Sequence, residues 1–157
     1  MTDSNRHVDV LVVGGGMVGA AFVAALADTQ LSIVVLDAET PAETPDAAAE
    51  SVRDVEPRVS ALTLATQALL QNIGAWQHVP AVRACGYTGM SVWDADGTGS
   101  IHFSAADAGT QALGWIVENR VIAAALHQAC RDANRRHHNI DWRAPVRVKT
   151  PARAGRG

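Results

Sequence analysis

A chain of 157 residues is long enough to bury one core and too short for several large independent domains. Its composition, 48 % hydrophobic and 18 % charged, is that of a globular protein and argues against intrinsic disorder. A formal net charge of −3 points away from a nucleic-acid binder or a membrane-surface protein, and no apolar run approaches the roughly 20 residues that cross a bilayer.

Residues 1–7 form a polar lead-in, and Asp3 and Asp9 around Arg6 are not the flanks of a secretion signal. The apolar run Val8–Val13 closes on glycines and predicts a short buried strand. The glycines fall as Gly14-x-Gly16-x-x-Gly19, with Gly15 also present, and Ala20, Phe22, Val23, Leu26 and Ala27 then predict a small-residue helix. Ser32–Leu36 predicts a second buried strand, ending on Asp37. In such a strand–turn–helix–strand unit each glycine has a separate task. Gly14 turns the chain sharply, Gly16 lets a pyrophosphate approach bare backbone, and Gly19 lets the helix pack on the strands. The helix N-terminus offers N–H groups and a positive dipole end to the phosphates. Asp37 stands 18 residues past Gly19, where a carboxylate accepts from ribose hydroxyls and repels a 2′-phosphate. The expected ligand is therefore FAD or NAD and not NADP.

Residues 38–57 make a long connection with three prolines and six acids (Glu39, Glu43, Asp46, Glu50, Asp54 and Glu56), unlike the direct crossover of a plain nicotinamide dehydrogenase. Arg58-Val-Ser-Ala-Leu leads into a predicted helix over Thr63–Ile73, with Leu62, Leu69, Leu70 and Ile73 as its apolar stripe and Gly74 as the terminating C′ residue. Trp76 is expected to pack under that helix end. Met90, Val92 and Trp93, then Asp96-Gly97, then Ile101 and Phe103 predict a hairpin within 88–104. Gly114–Asn119 reads as extended and buried. It runs into a helix over Arg120–Ala133 with Asn119 as N-cap and Val121, Ile122, Ala125, Leu126 and Ala129 inward. His137–Trp142 is a further candidate strand. From Arg131 onward there are eight of the 13 basic residues and only two acids, so 135–157 reads as a basic tail, truncated or poorly ordered.

The segments VDVLVVGGGMVGAAFVAALA, VVLDAE, RVSALTLATQALLQNIGAW and GWIVENRVIAAALHQAC together resemble flavin-dependent aromatic hydroxylases. The branch they are most similar to is the ubiquinone-biosynthesis hydroxylases, near the phenol and para-hydroxybenzoate hydroxylase superfamily. The likeness covers most of residues 8–133. It implies an α/β, Rossmann-like FAD-binding domain of the glutathione-reductase-like class, truncated, with part of a β-rich substrate sheet. Residues 1–134 would be the N-terminal portion of that domain, with 8–37 as its dinucleotide unit. Carried over by position, Gly14, Gly15, Gly16 and Gly19 would hold the pyrophosphate, Asp37 the adenosine ribose, and Arg58 a phosphate or the flavin edge. No catalytic residue is assigned, and Glu118 is expected near the cofactor without a stated role. The implied reaction uses NAD(P)H and O2 to hydroxylate an aromatic or polyprenyl-phenol intermediate of ubiquinone biosynthesis. Other ubiquinone-biosynthesis proteins are the candidate partners. The chain reads as cytoplasmic, with a peripheral place at the inner membrane left open.

The sequence departs from that family in one respect. Family members are longer and carry a second flavin motif built on Asp-Gly and a later Gly-Asp; here Asp96-Gly97 lies in the hairpin and no Gly-Asp occurs. Two alternatives stay open on the sequence: another FAD- or NAD-linked oxidoreductase of the same nucleotide fold, or a non-catalytic fragment. The six histidines show no metal-ligand spacing, and Ser60 lacks a hydrolase elbow. Cys85 and Cys130 form no C-x-x-C pair and read as thiols of a reducing compartment. The four tryptophans read as core anchors, with Trp93 or Trp115 also candidates to line an aromatic pocket.

Overall fold

The structure, a computed structural model, describes residues 7–41 and 55–148. Most of the acidic connection and the last basic residues thus lie outside the described residues. The described chain divides into two compact units: residues up to Pro41 together with those from Cys130 onward, and the residues between.

The first unit is built on a three-stranded parallel sheet in the order β1-β2-β8, from β1 (Val10–Val13), β2 (Ile33–Leu36) and β8 (Ile140–Arg143). The register runs Val10↔Ile33↔Ile140 through Val13↔Leu36↔Arg143. Helix α1 (Met17–Leu26) crosses from β1 to β2. Ala20, Val23 and Ala24 on α1 and its C-cap Ala27 are buried, as are Ile33 and Val35 of β2. Complete burial of Val23, Ile33 and Val35 contributes roughly 1.5–3 kcal/mol each. The Cys130 thiol, on the helix that precedes β8, donates to the Ala20 carbonyl of α1 at 3.3 Å. Asp9, the one acid in the first apolar run, accepts the Ser32 amide at 2.8 Å and the Ser32 hydroxyl at 2.7 Å at the sheet's N-terminal end. These bonds hold its carboxyl below the ordinary value. Asn139, just before β8, donates from Nδ2 to the carbonyls of Ala27, Thr29 and Leu31 at 3.0–3.2 Å.

The first predicted strand is real but not buried as expected. Leu11 and Val13 are 56 % and 64 % exposed, because among the described residues β1 pairs on one side only. The central strand β2 is the buried one. The strand expected within 137–142 appears as β8, in a stretch the sequence groups with the basic tail.

In the second unit β7 (Gly114–Glu118) is the middle of an antiparallel sheet, between β3 (Val59–Thr63) and β4 (Ala84–Tyr87). The residues after Arg58 are a strand and not a mere lead-in. Helix α2 (Leu64–Asn72) starts where the Thr63 hydroxyl accepts the Thr66 amide at 3.2 Å. It ends at Gly74, whose φ of +72° and amide bond to Gln71 O at 3.0 Å are those of a C′ glycine. Of the expected stripe Leu70 is buried, whereas Leu69 is half exposed. The Trp115 indole donates to Gln67 Oε1 at 2.9 Å and stacks obliquely on Trp76, with centroids 5.8 Å apart.

Strands β5 (Gly89–Trp93) and β6 (Ser100–Ser104) form a separate two-stranded ribbon. Its turn is a longer loop than a two-residue Asp-Gly hairpin: Asp94 N–H bonds Gly99 O at 3.0 Å, and Asp96 N–H bonds Asp94 Oδ1 at 3.1 Å. The cross-strand pairs Met90↔Phe103 and Val92↔Ile101 lie on one face and are all exposed. Helix α3 (Asn119–His137) is longer than its predicted core and contributes to both units. Val121, Ile122, Ala125, Leu126 and Ala129 are all buried as the periodicity requires.

Candidate functional site

The glycine loop joins β1 to α1, and its residues separate by function. Gly14 has φ +99°, a conformation open to glycine, and its N–H is fixed to Leu36 O at 2.8 Å. Gly19 lies against the same turn: a Cβ there would stand 2.0 Å from Gly14 O. Only hydrogen fits, so Gly19 sets how closely α1 packs on the loop. Gly16, the N-cap of α1, is different. It has φ −64° and ψ −174°, no side chain caps the helix, and a Cβ would meet nothing within 4 Å. The first turn of α1 therefore starts without a side-chain cap, beside open space at Gly16.

That space is a shallow groove of about 580 Å³, lined by Val13, Gly14, Gly16, Met17, Val18 and Phe22 among others. Val18 is 85 % exposed on it. Gly15 faces the other way and is buried. A Cβ on Gly15 would meet Trp142 Cζ2 at 2.3 Å and Asp37 Oδ2 at 2.6 Å. The Gly15 amide donates to Asp37 Oδ2 at 2.6 Å, and the Glu39 amide donates to Oδ1 at 3.0 Å. Asp37 is thus at the end of β2, as its spacing requires, and braces the loop from below. A carboxylate offers about four acceptor positions, so two remain for hydroxyl donors. The Asp37 main chain is itself tied to β8 and the residues after it, through Arg143 O at 3.0 Å and the Val146 amide at 2.6 Å.

Of the sequence-derived site residues, the structure brings Gly14, Gly15, Gly16, Gly19 and Asp37 together in the first unit. Arg58 belongs to the second unit, where it is exposed and its carbonyl accepts the Asn119 amide at 2.9 Å. Sequence reasoning did not connect Trp142 to the loop. It reaches Gly15 through the register Val35↔Trp142, which no local signal reveals.

The second unit also holds a buried charge cluster that sequence reasoning missed. Glu118 accepts Arg83 Nη1 at 2.9 Å, Arg120 Nη2 at 2.9 Å and the Glu56 amide at 2.8 Å. Burial pushes the Glu118 pKa up, but the Glu56 amide, then Arg120 and Arg83, outweigh it and leave the group below its ordinary value. The position predicted as an N-cap, Asn119, is the first residue of α3, and its Oδ1 accepts the Ser60 hydroxyl at 2.6 Å. Among the described residues no group of His, Cys, Asp or Glu could hold a metal ion, and no helix is long and apolar enough to cross a membrane.

No model of a known protein family matches the chain. It is 34 % identical over 142 residues to the 3-demethoxyubiquinol 3-hydroxylase of Escherichia coli, covering 90 % of this chain and 34 % of that protein. It is 32 % identical over 154 residues to the ubiquinone biosynthesis monooxygenase COQ6 of Danio rerio, covering 92 % and 30 %. The chain belongs to the ubiquinone-biosynthesis hydroxylase family. This hydroxylase-family chain spans about a third of the length of the curated relatives it matches. Its fold is shared with solved flavin-dependent monooxygenases. The flavin-dependent monooxygenase PieE, solved with FAD and substrate, superposes with a TM-score of 0.60 at 15 % identity, over 88 % of this chain and 24 % of PieE.

Proposed function

We propose that this chain carries the diphosphate-binding part of an FAD-dependent monooxygenase, in a Rossmann-like domain of the glutathione-reductase-like class. The observation that carries the reading is the open space over Gly16 and the uncapped start of α1, beside a loop that Gly19 holds tight. A pyrophosphate fits that place: it needs backbone donors, a positive dipole end and no side chain in the way. Gly14 and Gly16 would line its bed, and Gly15 would act from beneath by presenting its amide to Asp37. The carboxylate of Asp37 would accept from the adenosine ribose, which also disfavours a 2′-phosphate. Arg58 is carried as a cofactor residue by family resemblance.

When bound, FAD would supply the electron transfer from NAD(P)H and the activation of O2 that insert one oxygen atom into an aromatic or polyprenyl-phenol ring. The residues of this chain bind and orient. The β5–β6 ribbon is proposed as part of the substrate sheet.

Titration of the purified chain with FAD, followed by quenching of flavin fluorescence, tests the reading. Saturable binding that is strongly weakened in Gly16→Val and weakened in Asp37→Ala is expected. No binding, or binding indifferent to Gly16, would overturn it.

A further inference from the structure

Glu118 closes β7 and is 3 % exposed, with its carboxylate shared between Arg83, itself buried, and the partly exposed Arg120. Packing a buried acid needs a cation, and Arg83 supplies one. The bond from Glu118 Oε2 to the Glu56 amide at 2.8 Å has a different reach, because it lies outside the β3–β7 ladder, which begins at Val59↔Glu118. The next residue, Asn119, donates its amide to Arg58 O at 2.9 Å and accepts from Ser60 Oγ at 2.6 Å. Residues 118 and 119 therefore grip the chain on both sides of Pro57: Glu56 by a side chain, Arg58 by the main chain.

We infer that Glu118 is a positioning residue, whose carboxylate fixes the main chain at Glu56 and so sets the direction in which the exposed Arg58 side chain is presented. The inference rests on the proposed cofactor role of Arg58. Arg83 and Arg120 hold the carboxylate ionised and in place, and Asn119 completes the grip.

A double-mutant cycle on FAD binding separates positioning from bulk structure. Arg58→Ala and Glu118→Gln are each expected to weaken FAD binding by about tenfold. The double variant should be no weaker than Arg58→Ala alone, since Glu118 acts through Arg58. Amide exchange should accelerate at Glu56 and Asn119 in Glu118→Gln while the α1 amides keep their protection. The paired swap Arg83→Met with Glu118→Met removes the acceptor and fills the space with apolar chains, so it serves where Glu118→Gln does not fold. It should give the same binding and exchange result.

Equal losses from Glu118→Gln with and without Arg58 would overturn the inference, as would unchanged exchange at Glu56. Unchanged binding in Glu118→Gln beside a weakened Arg58→Ala overturns the positioning role alone. If Arg58→Ala binds FAD like the wild type, the cofactor role of Arg58 fails, and the inference fails with it.

Discussion

Replacing Gly16 and Gly19 separately distinguishes a glycine that serves a ligand from one that serves the fold. At Gly16 the backbone has φ −64° and ψ −174°, which any L-residue adopts, and a Cβ points into open space. Gly16→Val should therefore change stability by about 1 kcal/mol or less, the size of an N-cap exchange. That corresponds to a Tm shift of roughly 2–4 °C. The isopropyl group would occupy the place proposed for the diphosphate. An overpacking penalty of about 1–3 kcal/mol on the complex converts to FAD binding roughly 5- to 150-fold weaker. Gly19→Ala should behave in the opposite way. Its Cβ would fall 2.0 Å from Gly14 O and 3.1 Å from Gly14 C, both main-chain atoms, so α1 and the loop must part. A Tm loss of roughly 5–10 °C is expected before any ligand is added. Thermal melts monitored by circular dichroism, paired with FAD titrations, measure both effects. A Gly16→Val protein that binds FAD like the wild type, or a Gly19→Ala protein that melts like it, would refute the division of labour.

Other outcomes follow from the same geometry. Gly15→Ala should destabilise the loop, since its Cβ meets the Trp142 ring at 2.3 Å, and adding Trp142→Leu should restore part of the lost Tm. Cys85 is exposed, whereas burial pushes the Cys130 thiol up to about 12. Iodoacetamide at pH 8 should therefore label Cys85 within minutes and leave Cys130 unmodified in mass spectra of the folded chain. Because burial lifts the folded Cys130 pKa above the ordinary thiol value of 9.0, its stabilising effect should be complete below pH 9 and decline between pH 9 and about 12. The depressed Glu118 pKa acts in reverse: its contribution is present above the ordinary carboxyl value of 4.5 and fades as pH falls through the lower folded value. Urea melts at falling pH should show this loss, and Glu118→Gln should flatten it.

Much of the first unit is legible in the sequence because its signals are local. Glycine spacing, an apolar run and an acid at a strand end specify β1, the loop, α1, β2 and Asp37 within one short stretch. Helix α3 is equally plain, since Val121 to Ala129 repeat at helical period over a fully buried face. What escaped the sequence depends on partners far along the chain. Apolar content alone cannot tell the edge strand β1 from the central β2, because the sheet order decides which is covered. Residues 59–63 read as a helix approach because Val-Ser-Ala-Leu lacks a clear alternation, and only pairing with β7 makes them a strand. Strand β4 is short and contains Gly86, which hides it. The cluster of Arg83, Glu118 and Arg120 has no spacing rule to find it, since a short 3-10 turn before β4, the end of β7 and the start of α3 bring it together.

The parallel sheet of the first unit has a consequence for how this polypeptide is made. Asn139 bonds Ala27 across 112 positions, and β8 supplies the outer neighbour of β2. A ribosome must therefore release nearly the whole described sequence before β2 gains that neighbour. Until then the glycine turn hangs on a half-built scaffold, whereas all three strands of the second unit's main sheet are made before β8.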